Sequence, residues 1–406
     1  MNRNRCVKAS FPDRVQLKGP PAATSCPNPD MNGQHHHQRS FSMKQAWLCA
    51  TLTTVTAVAV GATCHANLAA AAQEPTSPQA QTAAGQMAPY LEPQHLVRIA
   101  GGRTINLVCL GHGSPTVILA SGGGGWSLSW WRVQPVLAHR TRTCAWDPAG
   151  FGFSGPSPEP QDTVHATLDL ERVLKAAGVQ GPYVVVGHSL GGYIALRFTD
   201  LHRRSVAGMV LVDPSIPDQH AVIERIAPKM GAIEDPEQKR LRECAAALRS
   251  GALKRGTPQY GQCTTPVNFP ANLPAAFSAL KAALTQLNAD HPARLLTQDS
   301  QLENFGRSQR QVINPRRRYG DLPLIVLTAG RDELPPTYPT DVREQVALFV
   351  RDAWVPGHDA YAALSTRGRN QLVADASHNI QNEKPDVVIA AITEVLAAQQ
   401  RSAGSP

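Results

Sequence analysis

Gly187-His188-Ser189-Leu190-Gly191 constrains this chain more than any other stretch. An apolar run, Tyr183-Val184-Val185-Val186, leads into it, and Tyr193-Ile194-Ala195-Leu196-Arg197-Phe198 leads away in a helical pattern. Consecutive β-branched residues suit a strand buried on both faces. The segment therefore predicts strand, sharp turn, helix, with a serine at the apex. In so tight a turn the residues two before and two after the apex must be small, and Gly187 and Gly191 meet that demand. Gly192 lets the helix approach the strand. The apex residue is pushed into a strained conformation with its side chain exposed above the sheet. A hydroxyl held there can act as a nucleophile. The pentamer alone is a common string; the flanking strand and helix give it meaning.

The 406-residue chain divides before this region is reached. Residues 1–42 are polar, Pro-rich and without periodicity, and read as an upstream segment from a misassigned start. Met43-Lys44, the uncharged apolar run Ala46–Ala62 and the small residues up to Ala72 read as a signal peptide over 43–72. The apolar run is short and rich in Ala and Thr, which argues against a stable membrane span. Residues 73–90 read as a flexible linker. Residues 1–66 hold seven Lys/Arg against two Asp/Glu, so of the net +8 only +3 belongs to the rest. That balance gives no reason to expect a nucleic-acid partner. Arg316-Arg317-Arg318 reads as a solvated face.

Four cysteines, Cys109, Cys144, Cys244 and Cys263, lie beyond the signal segment. An even number in an exported chain predicts two disulfides, with three pairings open. No pair has C-x-x-C spacing, so no metal site is expected. A periplasmic or secreted location follows.

From residue 91 onward strands and helices alternate. His95–Ile99 and Ile105–Cys109 read as a hairpin turning at Gly101-Gly102. Thr116–Ala120, Thr141–Trp146, Val206–Val212, Leu324–Leu327 and Leu372–Ala374 read as further strands. Trp130–Ala138, Val164–Ala177 and Asp386–Ala398 read as helices, the last behind Pro385. This rhythm predicts a mostly parallel sheet covered on both faces. Residues 215–320 interrupt it with helical stretches, Pro236–Arg249 and Leu273–Leu287, and read as a helical cap. The core is then expected in two parts, 91–214 and 321–401.

A serine needs a base, and the base an orienting acid. In such a sheet the chain order is Ser, Asp or Glu, His. His378, after the last strand, is the candidate base, on the sheet edge where the elbow opens. Asp332, after Leu324–Leu327, is the favoured acid, and Asp213, at the end of Val206–Val212, the alternative. Asp375 and Glu333 are weaker candidates. A tetrahedral oxyanion needs preorganised donors. Leu190 N–H at the helix start is one. Gly123, in Ser121-Gly122-Gly123-Gly124-Gly125, is the other, because a glycine backbone can approach a substrate closely. The glycine run lacks the Lys-Ser/Thr of a P-loop and the spacing of a dinucleotide site, so no cofactor is expected. Trp126, Trp130 and Trp131 are divided between core and the wall of an apolar acyl pocket.

These motifs resemble the α/β hydrolases of the serine esterase/lipase type. The resemblance covers residues 95–398 apart from the cap. It rests on Gly187 to Gly192, the Asp147-Pro148-Ala149-Gly150-Phe151-Gly152-Phe153-Ser154 turn, the glycine loop and Ser377-His378. It implies an eight-stranded, mostly parallel sheet with a cap inserted after the sixth strand, and a small-molecule acyl substrate. Its topology sets the second and fourth strands side by side, which implies a Cys109–Cys144 bridge and leaves Cys244 for Cys263. Asp147 is expected to be structural. Ser121 stands where the family often has histidine, so the loop must be anchored differently. Epoxide hydrolases and dehalogenases of this fold need a carboxylate nucleophile, and Ser189 argues against both. Acyl transfer, lactonase and peptidase activity share the triad chemistry, and a non-catalytic binding protein of the same fold is the alternative of another class.

Overall fold

In the computed structural model the alternation closes into one eight-stranded sheet. The structure describes residues 85–266, 276–331, 334 and 337–403. The upstream segment, the signal segment and most of the linker lie outside the described residues. The strands are β1 (Leu96–Arg98), β2 (Thr104–Leu110), β3 (Thr116–Ala120), β4 (Thr143–Trp146), β5 (Tyr183–His188), β6 (Val206–Val212), β7 (Leu324–Ala329) and β8 (Gly368–Val373). Their order is β1-β2-β4-β3-β5-β6-β7-β8. β1 and β2 pair antiparallel, as do β2 and β4; every other neighbouring pair is parallel. This is the α/β-hydrolase arrangement expected from the motifs.

The central strands are buried along both faces because alternate residues feed different cores. Val117, Leu119, Val184, Val186, Val210 and Val212 pack with Trp130, Val133, Leu137 and the C-terminal helix residues Val388, Ile392 and Val395. Ile118, Val185, Met209, Leu211 and Val326 face the other way, onto Leu170, Val173, Tyr193 and Leu196. Those last residues belong to α1 (Thr163–Ala176) and α2 (Leu190–Leu201). After β6 come α3 (Gln219–Ile226), α4 (Pro236–Arg249), α5 (Pro258–Thr264), α6 (Ala276–Asp290), α7 (Ala293–Glu303) and α8 (Phe305–Gln311). This is the helical insertion before β7. Between β7 and β8 lie α9 (Thr340–Phe349) and α10 (Val355–Ala362), and α11 (Pro385–Ala403) closes the fold.

Both disulfides form. Cys109 and Cys144 are opposed residues of the antiparallel β2–β4 pair, with Cα atoms 4.1 Å apart. Cys244 of α4 joins Cys263 of α5. Three local expectations differ from the structure. The helix read over Trp130–Ala138 is broken into a 3₁₀ turn, Ser127–Trp130, and a single turn, Gln134–Leu137. Pro135 has no N–H to continue a helix through it. The last strand begins at Gly368 rather than Leu372; Arg369, Asn370 and Gln371 carry no apolar signal because β8 is an edge strand. Arg317 is buried, not solvated: its guanidinium grips Asp200 at 2.8 Å and the Val312 carbonyl.

Candidate active site

The elbow forms where β5 ends. Ser189 adopts φ 51°, ψ −122°, a conformation that L-residues avoid, between β5 and α2. Two close approaches create it. A Cβ on Gly187 would sit 2.4 Å from the Gly191 carbonyl oxygen, and one on Gly191 would sit 2.3 Å from that of Ala120. The elbow is thus wedged against the end of β3. Ser189 N–H donates to the Val212 carbonyl at 3.2 Å, so β6 ends beside the serine.

The residue after β6 is Asp213, also at positive φ, 42°. Its Oδ2 accepts from His378 Nδ1 at 2.6 Å. Its Oδ1 accepts from the Ala329 N–H at 2.8 Å and the Trp354 indole N–H at 3.0 Å. Burial works to raise the Asp213 carboxyl, but its hydrogen bond with His378, the charges of His378 and His358, and the Ala329 N–H together hold it below the usual carboxylate range. His358 fills the far side. It lies 4.0 Å from Asp213, with its ring against the Thr328 hydroxyl at 2.8 Å and the Pro214 carbonyl at 2.7 Å.

The His378 loop is held from two directions. Ser377 N–H donates to Glu383 at 3.2 Å, and Glu383 is paired with Arg331 at 2.5 Å. Behind the loop, His188 Nε2–H donates to the His378 carbonyl at 2.9 Å while Gln381 Nε2 donates to His188 Nδ1 at 3.3 Å. Facing a carbonyl, Nε2 must carry the hydrogen. Burial, with the nearby charge of His378, pushes His188 down to about 3 and keeps it neutral.

The glycine loop faces the elbow from the end of β3. Ser121, which stands in place of histidine, donates its hydroxyl hydrogen to the Trp126 carbonyl at 2.6 Å. Gly125 N–H donates to the Gly122 carbonyl at 3.0 Å, and Gly124 N–H to Gln301 Oε1 of α7 at 2.7 Å. The Gly123 N–H finds no acceptor among the described residues. The Leu190 N–H opens α2, where the first amides have no intrahelical acceptor.

Two cavities meet at Ser189 and the Gly123-Gly124 backbone. One, of about 580 Å³, runs under the insertion past Leu190, Ile233, Leu241, Leu302 and Phe305. The other, of about 770 Å³, holds His378 and is walled by Trp126, Leu128, Trp131, Phe151 and Phe277. Trp130 instead lies fully in the core. Asp147 is buried and accepts from Asn106 Nδ2, Ser127 N–H and Phe153 N–H, fastening the turn that Gly150 and Gly152 shape.

Ser189, His378, Asp213, Gly123 and Leu190 are therefore gathered at one sheet edge. Asp332, the favoured acid, and Glu333 lie outside the described residues. Asp375 is exposed and pairs with Lys384. The residues around Asp213 that sequence reading missed are Trp354 and His358. Their signal was present: Val346, Phe349, Val350, Trp354, His358 and Tyr361 recur at helical spacing. Gln301, Gln381 and the structural role of His188 carry no such signal, since each acts across more than 170 residues of chain. Among the described residues no cluster of three or more His, Cys, Asp or Glu could hold a metal ion, and no helix is long and apolar enough to cross a membrane.

Residues 115–243 match the family described as alpha/beta hydrolase fold. The chain is 22% identical over 289 residues to the uncharacterized protein YqjL of Bacillus subtilis (strain 168), covering 71% of this chain and 86% of that one. It is 32% identical over 116 residues to a 2-hydroxy-6-oxo-6-(2'-aminophenyl)hexa-2,4-dienoic acid hydrolase of Metapseudomonas resinovorans, 28% of this chain and 40% of that protein. Among solved structures, a "probable hydrolytic enzyme" of Pseudomonas aeruginosa PAO1 superposes with a TM-score of 0.52 at 20% identity, over 75% of this chain and 93% of that one. Together the match over residues 115–243 and the sheet topology define the fold as that of the α/β hydrolases.

Proposed function

We propose that this protein is an exported serine hydrolase that cleaves a carboxylic ester through an acyl-enzyme on Ser189. In this reading His378 takes the Ser189 proton as the hydroxyl attacks the carbonyl carbon. Asp213, rather than Asp332, holds the His378 Nδ1–H and stabilises the imidazolium. The Gly123 and Leu190 N–H groups receive the oxyanion. His378 then protonates the leaving alcohol, and water, deprotonated by the same histidine, releases the acid. The observation that carries this is the strained Ser189, φ 51°, in a cavity it shares with His378, whose other nitrogen lies 2.6 Å from Asp213.

Cavities on both sides of Ser189 leave room for an acyl group and a leaving group, with the aromatic wall suited to an apolar one. Export is supported by the two disulfides and by the basic and apolar segment over 43–72. The region 215–320 serves as a cap that shapes the substrate. The test is labelling by a fluorophosphonate. The folded protein is expected to carry one adduct, on Ser189, and Ser189→Ala to lose it together with roughly 10⁴-fold or more of kcat on p-nitrophenyl esters. An unlabelled Ser189 in folded protein would refute the nucleophile.

A further inference from the structure

A run of four glycines is the worst backbone on which to build a rigid donor, because it has the most conformational freedom to lose. An oxyanion hole works only when its N–H groups are oriented beforehand. The loop's internal ties, Ser121 Oγ to Trp126 O and Gly125 N to Gly122 O, close its ends and leave its middle. The middle is held from elsewhere: Gln301 Oε1 accepts the Gly124 N–H at 2.7 Å. Gln301 is itself buried, and its Oε1 lies 3.8 Å from where a Cβ on Gly123 would be.

We propose that Gln301, on the cap helix α7, is a positioning residue for the oxyanion hole: by holding Gly124 N–H it aims the adjacent Gly123 N–H at the substrate carbonyl oxygen. This rests on the serine-hydrolase reading above. Gln301 can do so because α7 is fastened to the core over its whole length. Arg294 donates to the Gly152 carbonyl at 2.6 Å, Gln298 to that of Gly150 at 2.7 Å, and Thr297 and Ser300 accept from the Ser157 and Gln161 N–H groups at 3.0 and 3.2 Å. The insertion thereby helps set the geometry of the oxyanion hole, and α7 is a fixed part of the site rather than a lid.

Gln301→Met keeps the length and removes the acceptor. It is expected to lower kcat on p-nitrophenyl esters by about tenfold to a hundredfold, less than loss of a donor itself, with KM within about twofold. Affinity for a boronic acid that forms a tetrahedral adduct on Ser189 should fall by the same factor as kcat. Affinity for a ground-state amide analogue should stay unchanged. A Gln301→Met enzyme with wild-type kcat, or one whose loss lies in KM and in the amide analogue alone, overturns the proposal. If that variant does not fold, amide exchange in the native protein decides: Gly124 N–H is expected to be protected, and exchange at the rate of an open loop refutes the tie. Fluorophosphonate labelling and Ser189→Ala are read in parallel. Labelled Ser189 with an unaffected Gln301→Met sinks only the role of Gln301, whereas an unlabelled Ser189 sinks the serine-hydrolase reading.

Discussion

Asp213 shows how much one carboxylate can be asked to do. One oxygen orients His378, and the other is held by a backbone amide of β7 and by Trp354. Such a group is acceptor-only when ionised, and each bond it receives favours the charge. Asp213→Asn would place an amide where Nδ1–H must donate and favour the wrong tautomer of His378. We expect kcat to fall by about 10⁴-fold without loss of the fold. Asp332→Asn should leave kcat near wild type; the reverse pattern in steady-state assays would move the acid to Asp332. His188 makes a separate prediction. Its ring stays neutral down to about pH 3, whereas an unfolded histidine titrates near 6.5. Below 6.5 the unfolded chain binds a proton that the folded chain refuses. Stability is therefore full above 6.5 and falls toward pH 3, by about 1.4 kcal/mol per pH unit well below 6.5. Burial lowers His358 too, so it adds to the same slope. Urea titrations between pH 7.5 and 4.5 should show a shallower slope for His188→Gln; equal slopes would mean that His188 is protonated in the fold.

At the scale of elements, the elbow is a joint of three: β3, β5 and α2 meet within a few ångströms. Gly191→Ala would drive a methyl into the Ala120 carbonyl, 2.3 Å away. The elbow or the end of β3 must move, and we expect a loss of roughly 1–3 kcal/mol. Gly261 is the control. It lies inside α5 with nothing within 4 Å of its Cβ position, so Gly261→Ala should be neutral or stabilise by about 0.5–1 kcal/mol. Equal urea midpoints for the two variants would contradict the close packing of the joint. The elements legible in the sequence are those whose burial is two-sided or strongly periodic: β3, β5, β6, α1, α4. Those misread fail for local reasons. Pro135 breaks an apolar stretch that otherwise looks helical. β8 pairs on one side only, so its polar residues hide it. The stretch from α9 to α10 carries a period diluted by exposed charges, Arg343 and Glu344 in α9 and Arg351 and Asp352 between the two helices.

Over the whole molecule, the disulfides brace two different regions, the sheet and the helical insertion. Cys109–Cys144 spans 35 residues across the antiparallel edge of the sheet; Cys244–Cys263 spans 19 within the insertion. By loop-closure entropy each is worth about 3–4 kcal/mol. Cys109→Ala/Cys144→Ala and Cys244→Ala/Cys263→Ala should each lower the urea midpoint by a corresponding amount, and thiol reductants should then have less left to destabilise. Wild-type midpoints in either pair of variants would show that bridge to be idle. By itself the sequence determined the layered α/β class, the elbow turn and the strand-and-helix rhythm around it, because these depend on residues within one or two turns of each other and on which faces are apolar. Only the tertiary structure decided which carboxylate stands against His378, that Trp354 and His358 surround it, and that Gln301 reaches the glycine loop. Each of these joins residues more than a hundred positions apart. Hydrogen bonds across such separations leave no period in the chain; they exist only once the sheet has brought its strand ends to one edge and the helical insertion has packed against them.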